Sequence, residues 1–530
     1  MKKIINLIAV LISTSLIFTA CIGDLDVIPL DERVITSATV YDDPAAYEQV
    51  LAKLYAGLAV SGQEGPAGQA DISGIDEGFG QYLRGLWYHQ VLTTDEAVIG
   101  WDDQTIKDFI YHAWGASDVF VTAMYSRIFY QIALANEFLR QTTDELLNER
   151  GVDAGLRAQI QVFRAEARFL RALSYWHAMD IFGNVPFVTE EDAIGSIPPQ
   201  QINRADLFAF IEADLLDLLD DLVAPRQNDY GRADRAAAWT LLAKLYLNAE
   251  VYTGTPRWAD ALTYSERVIN EGGFTLEPEY AHLFMADNNP IQNPGFNEVI
   301  FAIRYDGIHT QTWGGTNFII HAAIGGSMNA AEYGMDGGWG GLRTTKNLVN
   351  LFVETDNRGM FYTDGQNLEI DNLSEFTDGY AVVKFTNMRR NGTPGSNLAF
   401  ADTDFPIFRL ADVYLMYAEA HLRGGGGSLE QATAYFNAIR ERAFGDDSNN
   451  IGSGALNLDR ILDERARELY WEAHRRTDLI RFGRFTGGDY VWPWKNNVRE
   501  GGATNAIYNL FPIPAADITA NPNLTQNPGY

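Results

Sequence analysis

The chain has 530 residues, 46% hydrophobic and 21% charged, which supplies apolar surface for a large folded body and excludes a disordered one. Its 70 acids against 40 lysines and arginines give a formal net charge of −30, a field that repels phosphate backbones and anionic lipid surfaces and so argues against nucleic acid as a partner. A single cysteine excludes any internal disulfide, so packing must supply the stability.

That cysteine, Cys21, ends the one long apolar run. Lys2 and Lys3 precede the apolar stretch Ile4 to Ala20, and Thr19-Ala20 places two small residues directly before the thiol. The order fits a secretory leader over residues 1–20, and the cysteine at the cleavage point fits a lipoprotein signal whose thiol takes a diacylglycerol. Each buried acyl CH₂ contributes ~0.8 kcal/mol, so two or three chains tether a soluble body. No later segment offers the roughly 18 uninterrupted apolar residues of a membrane helix, leaving the lipid as the one expected membrane contact.

Beyond Cys21, helical signals dominate. Asp43-Pro44 sets an N-cap before a proline at the first helical position, with Tyr47, Leu51, Leu54, Tyr55 and Leu58 at helical spacing. Leu207, Ile211, Leu215, Leu218 and Leu222 make one stripe, and Asp206, Glu212, Asp214, Asp217, Asp220 and Asp221 read as its solvated face. Two stretches repeat a helix-pair pattern, one from Ala237 to Ile269 and one from Tyr414 to Ile439, with Ala243 and Ala261 matching Ala418 and Ala432. Small residues where helices cross predict a degenerate tetratricopeptide-like repeat. Gly424 to Gly427 are not followed by the Lys-Ser/Thr of a phosphate loop; Ser428 and Gln431 form a capping box, so the glycines read as the interhelical turn.

Sixteen of the 48 glycines fall between Gly295 and Gly395, among Trp313, Tyr333 and Trp339. Strand-like runs there, Val299 to Ile303 and Phe318-Ile319-Ile320, are short and broken by turns. The stretch predicts long structured loops on a helical scaffold, and such loops commonly carry function.

Several segments, taken in order, resemble one family. They are Leu92-Thr93-Thr94-Asp95-Glu96-Ala97; Arg164 to Ala172, continuing through Tyr175-Trp176 to Phe182-Gly183-Asn184-Val185-Pro186; Arg409 to Leu415; Glu464 to Leu469 leading to His474 through Gly483; and the closing Phe511-Pro512-Ile513-Pro514 and Asn521 to Tyr530. Together with the lipoprotein start they resemble the SusD/RagB outer-membrane nutrient-binding lipoproteins over nearly the whole chain. The resemblance implies a mainly α, SusD-like fold with tetratricopeptide-like helical hairpins, long irregular loops and short strands. It implies a leader 1–20 and one body 21–530, with an N-terminal part of about 21–225 and a C-terminal part of about 226–530 that carries the glycine-rich loops 295–395. It further implies a non-enzymatic protein lipidated on Cys21, facing outward on the outer membrane, that captures oligosaccharide and passes it to a SusC-like TonB-dependent transporter contacted mainly by the repeats. Some members take peptide or another nutrient instead.

A sugar ring stacks its C–H face on Trp or Tyr, and its hydroxyls bond Asp, Asn, Gln or Arg. Trp101-Asp102-Asp103-Gln104 sets an aromatic beside polar groups, with Arg84 upstream in a helix-like stretch. Family members use an Arg and a Trp at comparable places, so the resemblance points to Arg84, Trp101, Asp102 and Gln104; some members have Asn where this chain has Gln104. Trp313, Tyr333 and Trp339 are the second group, and Trp114, Trp492 and Trp494 a reserve. Trp176, Trp239, Trp258 and Trp471 lie in helical patterns and read as core.

A lipid-anchored glycoside hydrolase is the alternative from another class. It would need two carboxyls ~5–9 Å apart, for which Asp102-Asp103 or Glu464/Glu468 could be imagined. Glu464 and Glu468 are one helical turn apart among Arg465, Arg467, Arg475 and Arg476, which predicts a structural ion-pair network instead. There is no Gly-x-Ser-x-Gly elbow, no His-Glu-x-x-His, and no histidine pair at ligand spacing, so neither a catalytic metal nor a cofactor is expected. The resemblance allows a structural calcium, without an EF-hand pattern.

Overall fold

The computed structural model describes residues 40–530 except 63, 64, 67–69, 194 and 196, and only the backbone of Gln104. The predicted leader and Cys21 lie outside the described residues. The chain divides into Met1–Tyr47 and a unit from Glu48 to Tyr530.

The helix predicted after Asp43-Pro44 is α1 (Ala46–Ala59), which begins two residues beyond the proline. Asp43 Oδ1 accepts from Ala45 N at 2.9 Å, so the carboxylate closes the turn before the helix. Helix α2 (Tyr82–Trp87) runs into a π-helical turn, Tyr88–Leu92, and then into β1 (Val98–Ile99). After α3 (Gln104–Tyr111), two long helices, α4 (Val119–Gln141) and α5 (Ala154–Phe182), pack along one another. Asp118 and Asp153 cap them, each accepting from two first-turn amides at 2.8–3.1 Å.

The acidic helix is α6 (Arg204–Asp217), capped by Asn203, and its leucine stripe is buried as predicted. Asp214 departs from the expected solvated face: it is buried and bridges Arg168 at 2.7 Å and Arg171 at 3.1 Å on α5. The stacked hairpins are α7 (Arg235–Leu247) with α8 (Trp258–Glu271), then α10 (Leu410–Leu422) with α11 (Leu429–Phe444). Helix α8 also packs on α10, making the stack continuous. Ala243, Ala261, Ala418 and Ala432 are all fully buried at the crossings, and Ser428 Oγ accepts from Gln431 N at 3.0 Å to start α11. Trp258 opens α8 only half-buried, unlike the core position expected of it.

Strand β2 (Val299–Ile303) forms as predicted and pairs antiparallel with β4 (Phe405–Arg409). Phe318-Ile319-Ile320, expected as a strand, lies instead in helix α9 (Gly315–Ala323). Every residue of α9 is buried, and a run apolar on all sides carries no periodicity to tell helix from strand. Strand β3 (Leu342–Arg343) pairs antiparallel with β1, Val98 opposite Arg343 and Ile99 opposite Leu342.

Helices α12 (Leu458–Leu469) and α13 (Arg475–Arg481) close the body around buried charge. The expected network around Glu464 and Glu468 is present, but of the arginines anticipated only Arg467 takes part. Glu464 pairs with Arg358, Arg440 and Arg467, and Glu468 with Arg358, Arg409 and Arg442. Burial alone would raise the Glu464 carboxyl, yet the guanidiniums of Arg358, Arg467 and Arg440 outweigh it and hold it down to about 2. Buried ions persist only when so paired. Arg475 instead reaches Asp95 with two 2.7 Å bonds, and Arg476 reaches Asp180 at 3.1 Å.

Candidate ligand-binding site

The Leu92 to Ala97 motif is the anchor of the site. Asp95 accepts Arg475 and the Tyr490 hydroxyl, and its backbone carbonyl accepts Thr345 Oγ1 at 2.6 Å. Glu96 accepts Trp471 N on its carboxylate and Trp471 Nε1 on its carbonyl, both at 2.9 Å. This buried pinning fixes where β1 begins, and Trp101 stands two residues past its end. Across the two-residue ladder, β3 begins just after Trp339, and Gly100 N donates to Gly341 O at 3.0 Å to extend the pairing. Arg343 secures the far side, its guanidinium donating to the carbonyls of Gly341, Leu373 and Asp378 at 2.7–2.9 Å. Burial among carbonyls lowers that guanidinium to about 10.

The ladder thereby brings two distant tryptophans together. Trp101 Nε1 donates to Trp339 O at 3.2 Å, and their rings lie 6.3 Å apart at 48°. Trp313, which directly precedes the Gly314-Gly315 entry to α9, stands 6.1 Å from Trp339 at 60° and 4.7 Å from Phe400. All three indoles are half-buried. Glycine is required by close approach: a Cβ on Gly341 would lie 2.6 Å from the Trp101 indole, and one on Gly338 would strike the Ile324 carbonyl. Arg84 on α2 supplies the charge. Its Nη1 donates to Trp313 O and its Nε to Tyr88 Oη, both at 2.9 Å, while its guanidinium carbon stands 4.3 Å from the centre of Phe318 and 5.9 Å from that of Trp101. Burial raises the Tyr88 phenol against the pull of Arg84, keeping it a neutral acceptor. The result is a bent row of three indoles around one arginine, able to stack successive faces of a ring-built ligand and to donate to its oxygens.

Four of the seven residues singled out from sequence therefore meet: Arg84, Trp101, Trp313 and Trp339. Asp102 is fully exposed and its carboxylate bonds Lys107 at 2.7 Å, which lowers its proton affinity. Gln104 heads α3, and its side chain is outside the described residues. Tyr333 shares no ring contact with the tryptophans among the described residues; it ends a short 3₁₀ turn, where burial and then Glu332 and Tyr362 raise its phenol.

Comparison with known proteins decides the family. Residues 356–530 match the SusD family model, and residues 84–247 match the model described as starch-binding associating with outer membrane. The chain is 35% identical to the starch-binding protein SusD of Bacteroides thetaiotaomicron, over 97% of this chain and 96% of that one. The chain belongs to the SusD family. Its fold is that of the solved members. Surface glycan-binding protein A from Bacteroides thetaiotaomicron superposes with a TM-score of 0.71 at 20% identity, covering 93% of this chain and all of that one. The same protein in complex with laminarihexaose gives 0.68 at 20% identity, covering 91% and 98%.

As expected from the helical patterns, this SusD-family chain keeps Trp176, Trp239 and Trp471 in its core. The reserve tryptophans do not join the site. Trp114 stacks on Phe511 at 4.2 Å and Trp492 is 1% exposed, while Trp494 is half-buried with its Nε1 on Ile370 O at 3.0 Å. Of the carboxylates weighed for hydrolysis, Glu464 and Glu468 are fully buried among arginines and Asp102 is held by Lys107, while Asp103 is exposed at the start of α3. Among the described residues no cluster of three or more His, Cys, Asp or Glu is suited to a metal ion, and no helix is long and apolar enough to cross a membrane. Phe318, Phe400, Tyr88 and His321 were not anticipated. They support the indoles from α9 and neighbouring segments, and only the fold brings them there.

Proposed function

We propose that this protein captures oligosaccharide on the Trp101–Trp339–Trp313 row, binds without catalysis, and passes the glycan to a SusC-like TonB-dependent transporter. The observation that carries the reading is the half-buried indole row with Arg84 beside it. Each indole presents an apolar face for a pyranose, and the guanidinium is a donor for hydroxyls. The successive interplanar angles of 48° and 60° mean that the three rings do not share one plane. The starch-binding relative makes an α-glucan the first ligand to test.

Export and tethering through Cys21 would place the site at the outer membrane, in keeping with the matched family description. The stacked hairpins α7–α8 and α10–α11 would be the face toward the transporter, a lasting pair that buries over ~2,000 Å².

Calorimetric titration of the lipid-free protein with maltoheptaose, laminarihexaose and a mixed peptide pool tests the ligand class. Saturable binding of maltoheptaose is expected, whereas binding of peptide alone would overturn the glycan reading. Mild detergent extraction tests the partner: co-purification with a transporter is expected, and recovery only as a free lipoprotein counts against delivery. Loss of labelled acyl chain in Cys21→Ala checks the tether, and a variant that remains labelled refutes it.

A further inference from the structure

Gln81 is the N-cap residue of α2 and is 1% exposed. Its carboxamide uses its whole hydrogen-bonding capacity. Oε1 accepts from Arg84 N at 2.8 Å and from Gly315 N at 2.9 Å. Nε2 donates to Leu58 O, in the last turn of α1, at 2.7 Å and to the Tyr305 hydroxyl, two residues past β2, at 3.3 Å. A backbone N–H only donates and a backbone carbonyl only accepts, so these partners fix which way the amide points.

One oxygen thereby holds both the first turn of α2, which carries Arg84, and the entry to α9, which directly follows Trp313. Arg84 Nη1 donates to Trp313 O and closes a ring of contacts: Gln81 to Arg84, Arg84 to Trp313, and the turn after Trp313 back to Gln81. The turn has no room to shift, since a Cβ on Gly314 would lie 2.5 Å from Gln81 Cβ and one on Gly315 would strike the Tyr305 hydroxyl. Helix capping alone does not call for glutamine. Asn, Asp, Ser and Thr are the preferred N-caps, because a short side chain folds back onto the first turn. The extra methylene of Gln81 carries its oxygen far enough to meet Gly315 as well. A residue that departs from a local rule and gains a distant contact in return is what a functional site leads one to expect.

We propose that Gln81 is a positioning residue of the glycan site, its carboxamide setting Trp313 against Arg84, so that affinity depends on the reach of this side chain and not on its capping. The proposal rests on the glycan reading above. Gln81 is itself buried and acts through these two neighbours. A side chain that caps α2 but releases Gly315 frees the turn behind Trp313, and the stacking face loses its fixed place beside the guanidinium.

Gln81→Asn separates the two roles, since Asn is a preferred cap and is one methylene shorter. On the whole lipid-free protein, calorimetric titration with maltoheptaose should show affinity falling roughly tenfold. Fluorotryptophan labelling reads the indoles without ligand, the Trp313 signal being the one missing from the ¹⁹F spectrum of Trp313→Phe. That signal should shift in Gln81→Asn, while those of the core residues Trp176 and Trp239 stay in place. Full affinity, or an unmoved Trp313 signal, overturns the proposal whatever the melting temperature does, because Gln81 would then be a helix cap and nothing more. Gln81→Ser, which also caps and leaves room for a water at Gly315, is read in the same way should Gln81→Asn fail to fold. If the wild type binds no oligosaccharide, the glycan reading fails while the ¹⁹F spectrum still decides whether Gln81 sets Trp313.

Discussion

Truncating Trp101 to alanine separates a ligand platform from a core residue. The indole gives one hydrogen bond, to Trp339 O at 3.2 Å, and it stands 5.9 Å from the Arg84 guanidinium carbon and 6.1 Å from Phe318. The hydrogen bond contributes about 1 kcal/mol, the cation contact ~0.5–1 and the edge contact ~0.5–1.5. Stability should therefore drop by about 2–3.5 kcal/mol, toward or under the low end of the ~3–5 kcal/mol of a fully buried tryptophan. Affinity should fall as well. A lost sugar stack of ~0.5–1.5 kcal/mol and about 1 kcal/mol of hydroxyl alignment by Arg84 give ~1.5–2.5 kcal/mol, roughly ten- to seventyfold in Kd. Trp101→Phe should recover part of the affinity, because the face returns without the Nε1 donor. Calorimetric titration and thermal melting of the same preparations measure both effects. Undiminished affinity in Trp101→Ala, with a melting temperature lowered as for a core residue, would refute the platform argument.

Three further outcomes are expected from the geometry around the row. Burial raises the Glu96 carboxyl from 4.5 to about 8 against the pull of Arg475, so folding takes up a proton between those values and stability falls as pH rises through that window. Glu96→Gln should flatten the fall between pH 5 and pH 8 by roughly 2–4 kcal/mol in denaturant melts, and an unchanged slope would show that Glu96 is not its source. Asp95→Ala leaves the buried Arg475 without its carboxylate and should cost ~3–5 kcal/mol of stability; a loss under about 1 kcal/mol would mean that the pair anchors nothing. Gly341→Ala places a methyl group 2.6 Å from the Trp101 indole, so affinity should fall about as far as in Trp101→Ala although no ligand contact is altered, and full affinity would show that the indole is free to move.

The helical part of the fold is legible because its signals are local. The leucine stripe of α6, the alanines of the stacked hairpins and the Ser428 cap each depend on residues within one or two turns, and each is found where the pattern puts it. The α9 helix is not legible, since a segment buried on every side has no polar face to set a period. Asp214 misleads for a related reason: its partners Arg168 and Arg171 lie on another helix, and spacing along α6 cannot reveal them. At the site, Arg84, Trp101, Trp313 and Trp339 are accessible through residue type and resemblance. Tyr333 meets the same criteria, yet it sits on a turn that shares no ring contact with the row. His321 gives no sequence signal, because the two carbonyl oxygens its ring faces lie 16 and 78 residues away.

The β1–β3 ladder joins residues 238 positions apart through the Trp101–Trp339 bond, and the Asp95–Arg475 pair spans 380. A chain that emerges N-terminus first cannot close this site until its last helices have emerged. Closing so long a loop carries an entropic cost that only the finished body offsets, and such distant contacts slow folding. No contiguous fragment ending before Trp339 can hold the indole row, whatever helices it keeps. Partial synthesis or a proteolytic cut in the glycine-rich region would leave a helical remnant without a platform. Binding activity can thus serve as a reporter of complete assembly for the whole body.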